Sequence, residues 1–190
     1  VAPVSIPKES REHESRSDWS TPKAVFDLIN LKFGQFTLDP CASAENAKCE
    51  TFFTKEQNGL VQSWKGHRVF CNPPYGAELP VWAEKAIGEK RIHGVPSVFL
   101  IPTRMGTGWF QDFCTVAFEV IFLRGRIPFV DPLGKRAQPM DDNCLVILES
   151  DEGPFDDPAF GFWDWKTELL DRLGQAAYET VFPKKRRKAA

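Results

Sequence analysis

The chain of 190 residues is 42% hydrophobic and 26% charged, which excludes a large multidomain assembly and a disordered or fibrous polymer. No apolar run approaches the roughly 18 residues that span a bilayer, and the first twenty residues lack a signal-peptide apolar region, so the expected compartment is the cytoplasm, with no membrane partner. Net charge is -2, but residues 184–188 read KKRRK, and setting those five aside leaves 19 Lys and Arg against 26 Asp and Glu, a net of -7.

Residues 1–17 combine prolines with a polar, charged run and are expected to be a flexible leader. Helix signals begin with STPKAVFDLINLKF. Ser20 or Thr21 caps, Pro22 takes the first helical position, Val25, Phe26, Leu28 and Ile29 form an apolar face, and Gly34 ends it. QFTLDPCAS reads as a short strand stopped at Asp39 and Pro40, and residues 43–49 as a short helix. A second strand, Arg68–Cys71, is broken by Pro73 and Pro74. Residues 80–90 have helical spacing, VPSVFLIP reads as a strand buried on both faces, and GTGWFQDFCTVA as a helix. FEVIFLRGRIPF and NCLVILES flank a polar loop and predict a closing hairpin, and FWDWKTELLDRLGQAAYETV predicts a final helix in which Trp163 and Trp165 pack.

Strands alternating with helices, then a hairpin, indicate an α/β fold in three layers around a mostly parallel sheet. The expected division is a leader over 1–17, a single domain over 18–183 and a basic tail over 184–190. The tail reads equally as a solvated terminus or a phosphate-contacting arm. Cys41, Cys49, Cys71, Cys114 and Cys144 are odd in number and lack a C-x-x-C pair, so they are expected to be reduced, apolar residues rather than disulfide or zinc partners. His13, His67 and His93 are scattered, and no metal site is expected.

The sharpest feature is Asn72-Pro73-Pro74-Tyr75 at a strand end. Two prolines stiffen the backbone and remove two N–H donors, so an amino group there meets acceptors only. The Asn72 side-chain oxygen and the Pro73 carbonyl can hold both hydrogens of a planar NH2, and the Tyr75 ring offers a face for a base. The same four residues also read as a rigid turn. In an open α/β sheet ligands lie beyond the carboxyl ends of the strands, where both LDP and NPPY fall.

N-P-P-Y is similar to the catalytic motif of amino-methyltransferases. The wider series DWSTPKAVFDLI, FTLDPCASAENAKC, FFTKEQNGL followed by Trp64, RVFCNPPYG, LIPTRMGTGWF and FLRGRIPF resembles the phage-type DNA N6-adenine methyltransferase (Dam-like) family. The resemblance implies an abbreviated Rossmann-like methyltransferase fold, S-adenosylmethionine as cofactor and double-stranded DNA as substrate. It further implies that Asn72, Pro73, Pro74 and Tyr75 hold a flipped-out adenine, and that Asp39, Pro40, Cys41 and Ala42 form the first cofactor motif. Thr21 and Pro22, with Trp19, would close over the cofactor's methionine end. The turn Ala42-Ser43-Ala44 departs from the Gly-rich turn common among methyltransferases. Glu50 and Glu56 are both in range of the cofactor ribose, with Glu56 preferred. Arg104, Lys135 and Arg136 are candidate DNA contacts, each readable also as an ordinary surface charge. Alternatives at this point are methylation of an RNA base or a protein glutamine amide, or a catalytically idle nucleic-acid-binding module.

Overall fold

The structure, a computed structural model, describes residues 19–131, 135–136, 141–150 and 157–184. The expected leader, parts of the loop before NCLVILES and most of the basic tail lie outside the described residues.

The two longest apolar runs form the centre of the sheet. Ser97–Pro102 (β4) and Asn143–Leu148 (β6) are buried at every position and pair antiparallel, from Ser97 opposite Leu148 to Pro102 opposite Asn143. Strands covered on both faces need no polar alternation, hence the continuous runs. Val98 and Leu100 of β4 enter one core, while Phe99 and Ile101 enter the other.

Val69–Cys71 (β3), Leu38–Asp39 (β1) and Thr51–Phe52 (β2) extend the sheet on one side, and Glu119–Leu123 (β5) and Ala159–Trp163 (β7) on the other. The order is β2-β1-β3-β4-β6-β5-β7. β2, β1, β3 and β4 run parallel, and β7 runs parallel to β5. Among the described strands β6 alone opposes its neighbours. Helices Lys23–Phe33 (α1) and Trp165–Val181 (α4) share one core with the sheet, and Leu79–His93 (α2) and Gly108–Thr115 (α3) share the other. These are the three layers expected.

Four local expectations are corrected. Neither Ser20 nor Thr21 caps α1: Pro22 is the N-cap, Lys23 the first helical residue, and no side chain among the described residues bonds the free N–H groups there. Residues 43–49 are not helical: Asn46 Oδ1 accepts the Ser43 N–H (2.8 Å) and Asp39 Oδ2 accepts the Lys48 N–H (3.1 Å), which diverts the segment into a turn. The antiparallel β5–β6 pair forms as expected but does not close the sheet, because β7 adds beyond β5. Phe162 and Trp163 therefore belong to a strand, with Phe122 opposite Phe162, and the last helix starts only at Trp165, capped by Asp164. Trp163 and Trp165 are both buried, as expected of packing residues.

The 29 residues between β1 and β3, which also hold β2, leave no room for crossover helices, and turns carry the chain instead. The amino ends of the sheet are tied by Arg68. Its Nε donates to the Phe33 carbonyl (2.8 Å) and its Nη1 and Nη2 to Glu149 (3.2 and 2.6 Å). Arg68→Ala leaves a carbonyl and a half-buried carboxylate unpaired, so we expect a loss of about 2 kcal/mol, read by urea denaturation, with the opposite, carboxyl edge unaffected. That edge carries the ends of β1, β3 and β4, and the reversal of β6 brings its first residue, Asn143, to the same edge.

Candidate active site

Four segments converge at the carboxyl ends of the parallel strands. Asp39 closes β1 in a buried position, where its Oδ1 accepts the Cys41 N–H (3.4 Å) and its Oδ2 the Lys48 N–H. Desolvation raises its pKa to about 6, opposed by those two hydrogen bonds and by the Lys48 charge. The carboxylate thus fixes both ends of the turn from Cys41 to Lys48. The Lys48 ammonium donates to Ser20 Oγ (2.8 Å) and the Asn46 carbonyl (2.6 Å), and burial pushes its own pKa down.

The loop after β2 closes on this turn from outside. Gly59 approaches Pro40 so closely that a Cβ would lie 2.0 Å from the Pro40 carbonyl oxygen, a contact only glycine permits. Asn58 supports it with a positive φ of 52°, and the buried Trp64 ring donates from Nε1 to the Gly59 carbonyl (2.9 Å). The spacing of Asn58-Gly59 before Trp64 thereby has a structural cause.

Residues 19–21 strap three loops together. Ser20 exchanges backbone hydrogen bonds with Val130 (2.8 and 3.0 Å), and the Trp19 carbonyl accepts from Asn72 Nδ2 (3.3 Å). With Nδ2 so used, Asn72 Oδ1 is buried and has no partner among the described residues; the Thr21 hydroxyl is in the same condition. Unpaired buried acceptors are costly and need a reason, and ligand donors are one.

Tyr75 sits between the two cores. Its hydroxyl donates to the Leu100 carbonyl (3.4 Å) and accepts from Asn143 Nδ2 (3.0 Å), and its ring meets Phe129 edge-on, with centroids 5.7 Å apart at 84°. Burial holds the Tyr75 phenol well above its ordinary range, so it stays neutral. Burial likewise pushes the Cys41 thiol up to about 12 and Cys71 well above its usual value, which leaves neither as a thiolate nucleophile at neutral pH.

The structure therefore brings Trp19, Thr21, Pro22, Asp39, Pro40, Cys41, Ala42 and the Asn72–Tyr75 loop to one edge. Glu50 precedes β2 and lies at its amino end, whereas Glu56 follows β2 on the carboxyl side; both are exposed. Arg104 follows β4 and pairs with Asp141 (3.1 Å). Lys135 is exposed, and the Arg136 guanidinium is turned to the Thr180 carbonyl near the end of α4. Sequence reasoning missed Phe129, Asn143 and Lys48. Phe129 stood within FLRGRIPF without a role, and Asn143 opened the NCLVILES run; only topology brings them here. No group of three or more His, Cys, Asp or Glu among the described residues is placed to hold a metal.

The carboxyl edge of this α/β sheet thus presents, side by side, a loop of two prolines without N–H donors, an unpaired amide oxygen and a glycine-packed turn. Residues 8–158 match the family described as DNA N-6-adenine-methyltransferase (Dam), and the chain belongs to that family. It is 36% identical over 159 residues to the DNA N-6-adenine-methyltransferase of Escherichia phage T1, an alignment covering 73% of this chain and 65% of the phage protein. It is also 41% identical over 69 residues to the "Putative methyltransferase YfdM" of Escherichia coli (strain K12), covering 33% of this chain and 75% of that one.

Proposed function

We propose that the protein transfers a methyl group from S-adenosylmethionine to the N6 amine of an adenine flipped out of double-stranded DNA. The observation that carries this reading is the buried, unpaired Asn72 Oδ1 at the end of β3, set in a loop whose two prolines offer no donor, in a chain of the Dam family. Asn72 Oδ1 and the Pro73 carbonyl would take the two N6 hydrogens, drawing the nitrogen toward tetrahedral geometry and leaving its lone pair free to bond the methyl group as the methyl–sulfur bond breaks. Pro74 keeps the loop rigid, and Tyr75, braced by Phe129, would lie against the base.

The cofactor fits the neighbouring residues. S-adenosylmethionine, when bound, supplies a methyl group activated by its sulfonium. Asp39 would hold the turn Pro40-Cys41-Ala42 against it, and the unpaired Thr21 hydroxyl, with Pro22 and Trp19, would meet its methionine end. We assign Glu56 to the ribose hydroxyls, because it lies on the carboxyl side of β2. Arg104 and Lys135 would contact DNA phosphates; Arg136 would do so only after leaving Thr180. The fold is read as an abbreviated Rossmann-like methyltransferase domain over residues 18–183, with 1–17 and 184–190 as appendages. No helix among the described residues is long and apolar enough to cross a membrane.

Asp39 gives this reading a pH signature. Its pKa is raised to about 6, so its contribution to stability is full below the range of a free carboxyl and is lost as pH rises through about 6. Affinity for the cationic cofactor runs the other way, strengthening as Asp39 ionises. Calorimetric titration from pH 5 to 7.5 should show tighter binding with rising pH, and Asp39→Asn should flatten the curve.

The function is tested with cofactor labelled in its methyl group, offered DNA, RNA and protein in separate reactions. Label should enter DNA. Label in RNA alone or protein alone would assign the same site to those amines, and salt-sensitive DNA binding without transfer would favour the idle module.

A further inference from the structure

We infer that Asn143 is a positioning residue for the target base, acting through the hydroxyl of Tyr75. The inference rests on the proposed methylation of adenine and adds a residue to it.

Asn143 opens β6, the strand that runs against its neighbours, and this reversal alone places it beside the carboxyl ends of β3 and β4. Its side chain is buried, and Nδ2 donates to Tyr75 Oη (3.0 Å) and lies 3.4 Å from the Ile101 carbonyl. The orientation of the amide follows from these partners, because a flip would set its oxygen against the Ile101 carbonyl. With Asn143 donating, the Tyr75 hydroxyl proton is left for the Leu100 carbonyl (3.4 Å). The phenol oxygen is thus held from two sides, by β4 and by β6, while Phe129 meets the ring edge-on. A tyrosine fixed at both its tip and its ring presents one orientation to whatever lies beside it.

Asn143 also differs from an asparagine kept for packing. Its Oδ1 is buried and has no hydrogen-bond partner among the described residues, as is the case for Asn72 Oδ1. Two asparagines at one edge, on β6 and just after β3, each spend their nitrogen inside the protein and leave their oxygen unpaired. Buried polar atoms left so are uncommon and each needs a reason, of which a ligand donor is one. Tyr75 lies three residues from Asn72 in the same loop, so an error in the angle of its ring is passed to a base held by Asn72, and transfer depends steeply on such alignment.

The test compares Asn143→Ser, too short to reach the phenol, with Tyr75→Phe, which removes only the hydroxyl, and with the double variant. Each single change should lower kcat on a DNA substrate about tenfold, with cofactor affinity within about twofold of wild type; the pair should be no slower than the slower single. A duplex carrying 2-aminopurine at the target adenine should report altered stacking of the extruded base in both singles. Should Asn143→Ser fold poorly, Tyr75→Phe with unchanged kcat still overturns the inference. So does a double variant in which the two losses multiply, or an Asn143→Ser whose only defect is a lower melting temperature. A wild type that methylates no DNA would overturn the proposed function itself, whereas an active wild type with any of those three patterns overturns only the role of Asn143.

Discussion

Asn72→Ala should slow methyl transfer to DNA adenine by about 10²–10³-fold, the scale on which removal of one preorganised polar contact acts at a reacting centre. Cofactor affinity should stay within about threefold, because the turn that would hold the cofactor is fixed by Asp39 and Gly59 rather than by Asn72. The variant loses two things at once: the unpaired Oδ1 that would accept from N6, and the Nδ2 bond to the Trp19 carbonyl. Asn72→Asp separates them. The aspartate keeps an acceptor for N6 but sets a second oxygen against the Trp19 carbonyl, so it should keep part of the activity and loosen the strap. Rates and calorimetric affinities on the same preparations distinguish the two losses.

Gly59→Ala should have the second large effect, and on binding rather than on chemistry. An added Cβ meets the Pro40 carbonyl oxygen at 2.0 Å and the Pro40 carbonyl carbon at 3.0 Å. Both atoms are backbone, so no side-chain rotation relieves the clash, and the turn after β1 must move. Overpacking of this kind costs about 1–3 kcal/mol. We expect that loss in thermal unfolding together with a cofactor affinity at least about tenfold weaker. Trp64→Phe, which removes the Nε1 donor to the Gly59 carbonyl but keeps an aromatic ring beside Trp82, should show a smaller effect of the same kind. A Gly59→Ala protein that binds cofactor normally would show that the Pro40 turn is not part of the pocket.

The parts of this architecture that could be read from the chain are those whose cause is local. β4 and β6 announced themselves by continuous apolar runs, and β1 and β3 by the prolines that stop them. α1 was legible from its apolar face and from Gly34, whose positive φ (96°) ends it. The proline loop was readable because its chemistry lies in four consecutive residues. β2 was missed because two residues, Thr51 and Phe52, cannot display a period, and neither is buried. AENAK has helix-forming composition, yet the Asp39 carboxylate nine residues earlier captures the Lys48 N–H and overrides it. β7 was hidden because Phe160 and Phe162 are exposed, so its alternation does not mark a buried face. Asn143 and Phe129 could not be assigned from spacing, since they reach Tyr75 only by the insertion of β6 between β4 and β5.

The measurement that bears most directly on the whole account is mass spectrometry of nucleosides from unmethylated double-stranded DNA incubated with the protein and S-adenosylmethionine, with Asn72→Ala in parallel. The account predicts N6-methyladenine with the wild type and at most a trace with the variant. Equal N6-methyladenine from both proteins, or none from a wild type that binds both DNA and cofactor, would contradict it.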